Sequence, residues 1–291
     1  TTIAGSAFRD SNLSSITIPD SVTSIGSRAF ENTKLTSVNI PDSVTEIGYR
    51  AFANIATLTE LTLGESVHRI RSEAFAQTSI ESLTIPDSVQ YIDNHAFALT
   101  PLKNLSIGSG LKDRGSLGYG IFYGVCSTLE TFSINSPNSL GKSSNNYYTT
   151  SYDNNSRNYY NGVYFGDTNC NELTTITLGD EVVHTGEDAF KGLTSLTSLL
   201  IGNSIQTIGA NTFRNISGLP AIQLPDSLEV INNNAFSEAE SLASIEFGNS
   251  LTTIGSDIFQ NTALTTIALP NSVTTIAGSA FRDSNLSSIT I

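Results

Sequence analysis

The chain has 291 residues, 38% of them apolar, with neither Met nor Trp and a formal net charge of −13. That acidic balance argues against a nucleic-acid partner, since phosphate-backbone binding needs clustered Lys and Arg. No apolar run approaches the ~20 residues of a membrane-spanning helix, no signal peptide is visible, and two cysteines are too few for a disulfide framework and lack zinc-ligand spacing.

One unit recurs along the chain. Leu13–Phe30 reads LSSITIPDSVTSIGSRAF, Leu35–Phe52 reads LTSVNIPDSVTEIGYRAF, Ile80–Phe97 reads IESLTIPDSVQYIDNHAF and Leu264–Phe281 reads LTTIALPNSVTTIAGSAF. The closing phenylalanines are Phe8, Phe30, Phe52, Phe75, Phe97, Phe122, Phe165, Phe190, Phe213, Phe236, Phe259 and Phe281. They lie 22 or 23 residues apart except at the centre, where the intervals are 25, 43 and 25. Self-similarity at that period marks a solenoid, whose core grows along one axis and escapes the usual domain-size limit. The expectation is a single solenoid over 1–291 with about 12 rungs.

Within a unit, alternating apolar residues such as Ile16 and Ile18, or Val38 and Ile40, predict a strand buried on one face. Pro or Gly ends it, at Pro19, Pro41, Gly64 and Pro86 for example, because Pro cannot donate to a ladder. Asp-Ser or Asn-Ser follows, both turn formers, and the recurrent Ser (21, 43, 66, 88, 204, 227, 250, 272) is placed to bond backbone of its own and the adjacent turn. Next comes V-x-x-I-G, two apolar anchors on a short strand or helical turn. Its Gly26, Gly48, Gly209 and Gly255 suggest a positive-φ corner, although Arg71 and Ala277 stand at the same place. Twelve of the fourteen phenylalanines close units at one phase, which predicts a continuous buried aromatic spine rather than a ligand groove.

The units L-x-x-I-x-I-P-D-S-V-x-x-I-G-x-x-A-F, over roughly residues 1–107 and 171–291, resemble the BspA-like (treponemal-type) leucine-rich repeats of bacterial surface proteins. Two departures stand out: Ser occupies the place where the common signature has Asn or Cys, and most units lack the Cys that usually follows Ala-Phe. The resemblance implies a mainly β superhelix with a parallel β-sheet on its concave face and short strands or helical turns behind. It also implies a non-enzymatic extracellular or cell-surface protein that works by adhesion or by binding a protein or glycan.

From about 108 to 169 the rhythm loosens, with one strand at Leu129–Ile134 and a long insertion at Gly141–Gly162. There Tyr147, Tyr148, Tyr152, Tyr159 and Tyr160 are interleaved with Asn and Ser, a composition that suits adaptable recognition surfaces. A solvated or self-packed loop is the plainer alternative. Asp153–Asn158 lacks the ligands of a calcium loop, with Arg157 and Tyr164 at ligand positions. Cys126 and Cys170 occupy nearly the same phase on either side of the insertion. Rungs stack about 4.8 Å apart and disulfides span Cα distances of roughly 4.4–6.8 Å, so the pair suits a staple at the base of the insertion; two reduced, buried thiols are the other possibility.

No catalytic constellation is legible and no cofactor or metal site is expected: His68, His95 and His184 are dispersed, and there is no nucleophile elbow or phosphate loop. Asp20, Asp42, Asp87 and Asp226 share a turn phase that could hold calcium or simply be solvated. Outward strand positions are polar and hydroxyl-rich early (Ser37/Asn39, Ser82/Thr84, Thr175/Thr177) and more mixed later (Ser198/Leu200, Ser244/Glu246). Sequons at Asn12, Asn104, Asn154, Asn215 and Asn285 permit a secreted setting.

Residues 1–18, TTIAGSAFRDSNLSSITI, recur unchanged at 274–291. Other units share only a consensus, so eighteen identities point to a 273-residue superrepeat cut from a longer tandem array, to self-association head to tail as a fibre or stalk, or to an engineered duplication.

Overall fold

The computed structural model describes residues 1–111, 117–118, 120–137 and 170–290. One compact unit comprises Thr1–Glu130 and a second begins at Thr131. In each, the chain winds as a parallel β-solenoid with almost no helix; among the described residues the sole helical element is the 3-10 turn Val125–Ser127.

In the first unit a back wall stacks Thr2–Ile3, Ser24–Ile25, Glu46–Ile47, Arg69–Ile70 and Tyr91–Ile92 as parallel two-residue strands. Its front wall pairs Ser37–Asn39 with Glu60–Thr62, and Ser82–Ile85 with Asn104–Ile107. The second unit has front strands Thr131–Ile134, Thr175–Leu178 and Ser198–Ile201, then the pairs Ala221–Gln223 with Ser244–Glu246 and Thr266–Ala268 with Ser288–Thr290. Behind them run Thr207–Ile208, Val230–Ile231, Thr253–Ile254 and Thr275–Ile276. Register sets each residue on its counterpart one unit away, as in Ile47 opposite Ile70 opposite Ile92. Period-2 alternation is realised as expected: Ser82–Ile85 alternates exposed and buried.

The phenylalanines form the core. Phe8, Phe30, Phe52, Phe75 and Phe97 stack nearly parallel at 4.9–5.3 Å between centroids. Phe190, Phe213, Phe236, Phe259 and Phe281 do so at 5.5–6.1 Å. Offset parallel stacking follows from one ring per rung at fixed phase. Three residues after Phe30, Phe75, Phe97 and Phe259, a buried Thr hydroxyl donates to the Phe carbonyl, at 2.8–3.0 Å. Each of these bonds gives a buried hydroxyl a partner within its own turn. The turn serines act between rungs: Ser43, Ser88, Ser227 and Ser272 donate to the carbonyls of Val22, Val67, Ile205 and Leu251 in the preceding rung.

The glycine corner needs correcting. Gly26, Gly48, Gly209 and Gly255 do not have positive φ; the constraint there is close approach. A Cβ at Gly48 would lie 2.6 Å from the carbonyl carbon of Gly26 in the preceding rung. Positive φ instead brackets the closing Phe, at Arg28 and Asn32, Arg50 and Asn54, Asn234 and Glu238, Asp257 and Asn261. This conformation turns alternate amides outward along the stack: Arg28, Phe30 and Asn32 N–H donate to the carbonyls of Tyr49, Ala51 and Ala53. The intervening Ala29, Glu31 and Thr33 amides bond locally, to Gly26, Arg28 and Phe30. Backbone strain at two residues per turn thus gains a ladder that runs along the spine.

Candidate functional site

Most of the recurrent turn carboxylates are held by the following rung; Asp20 is exposed. The turn carboxylates of Asp42, Asp87, Asp180 and Asp226 accept backbone N–H from Glu65, Ser109, Asn203 and Asn249, at 2.7–2.9 Å. Asn135 does the same for Glu181 at 3.0 Å. Their phase recurs because each rung offers the same amide to the one before it, and no group among the described residues is arranged to hold a metal.

A charged ladder runs beside the first spine. The Glu31 carboxylate is almost fully buried and lies 3.1 Å from Arg9 Nε, 3.7 Å from Arg28 Nε and 2.7 Å from Arg50 Nε. Arg50 Nε and one Glu31 oxygen lack aligned hydrogen-bond partners, so this contact is charge on charge more than directed bonding. Arg50 continues to Glu73 at 3.3 Å. On the back wall, Arg69 meets Asp93 at 3.0 Å and Arg71 meets Glu46 at 2.7 Å.

The histidines do not converge. His68 and His184 sit on the back walls of different units, His68 N–H bonding Thr45 and His184 bridging Thr207. His95 lies in a Phe turn of the first unit, edge-on to Tyr123 at 6.4 Å. Burial pushes its pKa below the ordinary imidazole value, opposed by the charge of Glu73. Sequence reasoning missed that His95, Leu99 and Tyr123 would form one patch, with Leu99 50% and Tyr123 37% exposed. Both His95 and Leu99 have positive φ, and Leu is not a residue type that advertises that conformation.

The front strands present their outward residues to solvent. Ser37, Asn39, Glu60, Thr62, Ser82 and Thr84 are exposed in the first unit, and Leu200, at 60%, is the most exposed large apolar residue described in the second. Tyr147, Tyr148, Tyr152, Tyr159, Tyr160 and Phe165 lie outside the described residues. Cys170 is buried and Cys126 half-buried, and neither is a free thiol.

The BspA-type leucine-rich repeat region model matches in 6 copies over residues 1–130, 68–163 and 164–291. Among solved structures, the chain is similar to a leucine-rich repeat protein from Bacteroides ovatus, with 25% identity over 95% of this chain and 75% of that one, at a TM-score of 0.53. It is also similar to a leucine-rich repeat protein of T. pallidum, with 33% identity over 45% of this chain and 60% of that one, at a TM-score of 0.38. A leucine-rich cell surface protein from Faecalibacterium prausnitzii shares 23% identity over 90% of this chain and 84% of that one, at a TM-score of 0.34. No curated protein matches. No helix among the described residues is long and apolar enough to cross a membrane. With repeat models spanning its length and a ladder of parallel rungs beneath them, the chain belongs to the BspA-type leucine-rich repeat family.

Proposed function

We propose that this is a non-enzymatic extracellular or cell-surface protein that binds a protein or glycan through its solenoid. The observation carrying this reading is the commitment of the repeated polar residues to backbone of their own or the neighbouring rung. Turn Asp, turn Ser and post-Phe Thr side chains bond backbone, which leaves the exposed front-strand residues free to vary without disturbing the stack. Tyr147, Tyr148, Tyr152, Tyr159 and Tyr160 are the proposed contact residues, since Tyr provides large contact area at low entropic cost. Cys126 and Cys170 are proposed as the staple at the base of that stretch; free thiols found by mass spectrometry in protein from its native compartment would remove it.

The test is deletion of 141–162, read on a glycan array and against surface proteins of cultured cells. Binding should fall while the far-ultraviolet circular dichroism of the solenoid is kept; an unchanged binding profile refutes the role of the loop. A second reading, a segment of a head-to-tail fibre or stalk, is favoured by one observation, the identity of residues 1–18 and 274–291.

A further inference from the structure

The outward row of the front strands carries one residue that the stack does not need. Leu200 of the second unit is 60% exposed and lies opposite Thr177 on the preceding strand. Equivalent positions hold Asn39, Thr62, Thr84, Gln223, Glu246 and Ala268, each small or polar. A single exposed leucine is ordinary on a protein surface. What sets this one apart is the charge around it.

From 170 to 290 the chain has twelve acids and three cations. Arg214 and Arg282 are taken up by Glu238 and Asp257, at 2.7 and 3.2 Å, and Lys191 is engaged as well. Glu172, Glu181, Glu187, Glu229, Glu240 and Glu246 are exposed and form no ion pair among the described residues. Four of these six belong to the front wall or its borders. Glu246 ends the strand Ser244–Glu246 and Glu240 lies four residues before it, while Glu172 and Glu181 lie three residues to either side of Thr175–Leu178. In the first unit, by contrast, Arg50, Arg69, Arg71 and Lys103 each meet an acid.

We infer that this front sheet, centred on Leu200 and Glu246, docks a basic segment of a partner protein, which sets an apolar side chain on Leu200 and a Lys or Arg against Glu246. Docking here rests on the binding reading above and names the chemistry of its partner. Leu200, Gln223 and Glu246 recur 23 residues apart on successive strands. At ~4.8 Å per strand, about 10 Å separates the leucine from the glutamate, a distance that an extended peptide lying across the strands covers in about three residues. Apolar contact supplies most of the affinity, and the unpaired glutamates supply on-rate and selection against acidic partners. A second copy of the chain, itself at net charge −13, is the poorer match.

The experiment selects a phage-displayed library of random peptides on the full chain. Enriched peptides are then titrated by fluorescence anisotropy against the full chain and against variants whose circular dichroism is unchanged. Enriched sequences should combine Lys or Arg with Leu, Ile, Val or Phe, and added salt should weaken them. Leu200→Ser should weaken binding about tenfold and Glu246→Lys about fivefold. Glu229→Lys, the same charge change beside the back strand Val230–Ile231, should leave it within about twofold. Equal losses in Glu229→Lys and Glu246→Lys would reduce the effect to net charge and overturn the site. Enriched peptides that ignore all three variants, or that are not basic, would overturn it while leaving binding by the solenoid standing. Chitosan oligomers, cationic but without apolar side chains, binding as tightly as the peptides would overturn the protein partner in favour of a glycan. No binder in the library or on the glycan array would overturn both this site and the binding reading.

Discussion

Replacing Phe52 tests whether the aromatic spine is the core that holds the rungs together. Its side chain is fully buried, 4.9 Å from Phe30 and 5.3 Å from Phe75, with ring planes within 10°. Truncating a buried Phe to Ala costs roughly 3–5 kcal/mol through lost transfer energy and a cavity. Two stacked pairs contribute about 0.5–1.5 kcal/mol each beyond area, partly counted already in that figure. Phe52→Ala should therefore cost about 4–6 kcal/mol. Phe52→Leu, which keeps most of the volume and loses the stacking, should cost about 1–2 kcal/mol on the same reasoning. Phe8→Ala provides the internal control: its ring is 37% exposed with one stacking neighbour, so about 1–2 kcal/mol is expected. Urea unfolding followed by circular dichroism measures each cost. In a one-dimensional array an interior lesion also weakens coupling between flanking rungs, so Phe52→Ala should lower the m-value or split the transition. Equal costs at Phe52 and Phe8, or a Phe52→Ala cost below about 2 kcal/mol, would refute an axial aromatic core.

Glu31→Gln removes the buried negative charge shared by Arg9, Arg28 and Arg50, leaving Asp10 beside Arg9 and Glu73 beside Arg50. Because those arginines are 24–38% exposed, screening limits the expected cost to about 1–3 kcal/mol, and a Tm within error of the unsubstituted chain would show that solvent already neutralises the cluster. At Asn54, φ is +60: Asn54→Gly should be neutral within a few tenths of a kcal/mol and Asn54→Val worse by about 1–2 kcal/mol, both read by urea titration. His95 has its pKa lowered by burial, against the opposing charge of Glu73. The unfolded chain therefore takes up a proton first as pH falls. Stability linked to His95 should be complete above the ordinary value of 6.5 and decline as pH drops from there toward the lower folded value. His95→Asn, which tolerates the positive φ, should flatten that part of the Tm–pH curve; an unchanged slope would assign it to other groups.

The parts of the fold legible in sequence are those in which a residue meets its own counterpart. Ile25, Ile47, Ile70 and Ile92 recur at the repeat period because each lies opposite the next, and the Phe spine recurs for the same reason. Where the relevant contact is with backbone, residue type is a poorer guide. Gly48 was expected to mark a positive-φ corner, yet it is small because the Gly26 backbone lies against it. The residues that do have positive φ include Arg28, Arg50, Glu73 and Leu99, which carry no such signature. A signal was present, since ten of the nineteen non-glycine examples among the described residues are Asn or Asp, but it shows only when positions on both sides of the closing Phe are compared across units.

The same distinction bears on where function can reside. A side chain whose position recurs every 22 or 23 residues is under a constraint shared by all rungs, and the turn Asp and Ser show that constraint to be the backbone of the adjacent rung. Specific recognition needs the opposite, residues that differ from rung to rung at positions the stack does not use. Outward front-strand residues meet that condition, passing from Ser37 and Asn39 through Glu60 and Thr62 to Leu200 and Glu246. The eighteen repeated residues meet a third condition, in which identity itself carries the information. Drift to a consensus would preserve Ile, Gly and Phe but not Arg9, Asp10 and Thr2, which contact the following rung through side chains. Their exact recurrence as Arg282, Asp283 and Thr275 is more than stacking alone requires.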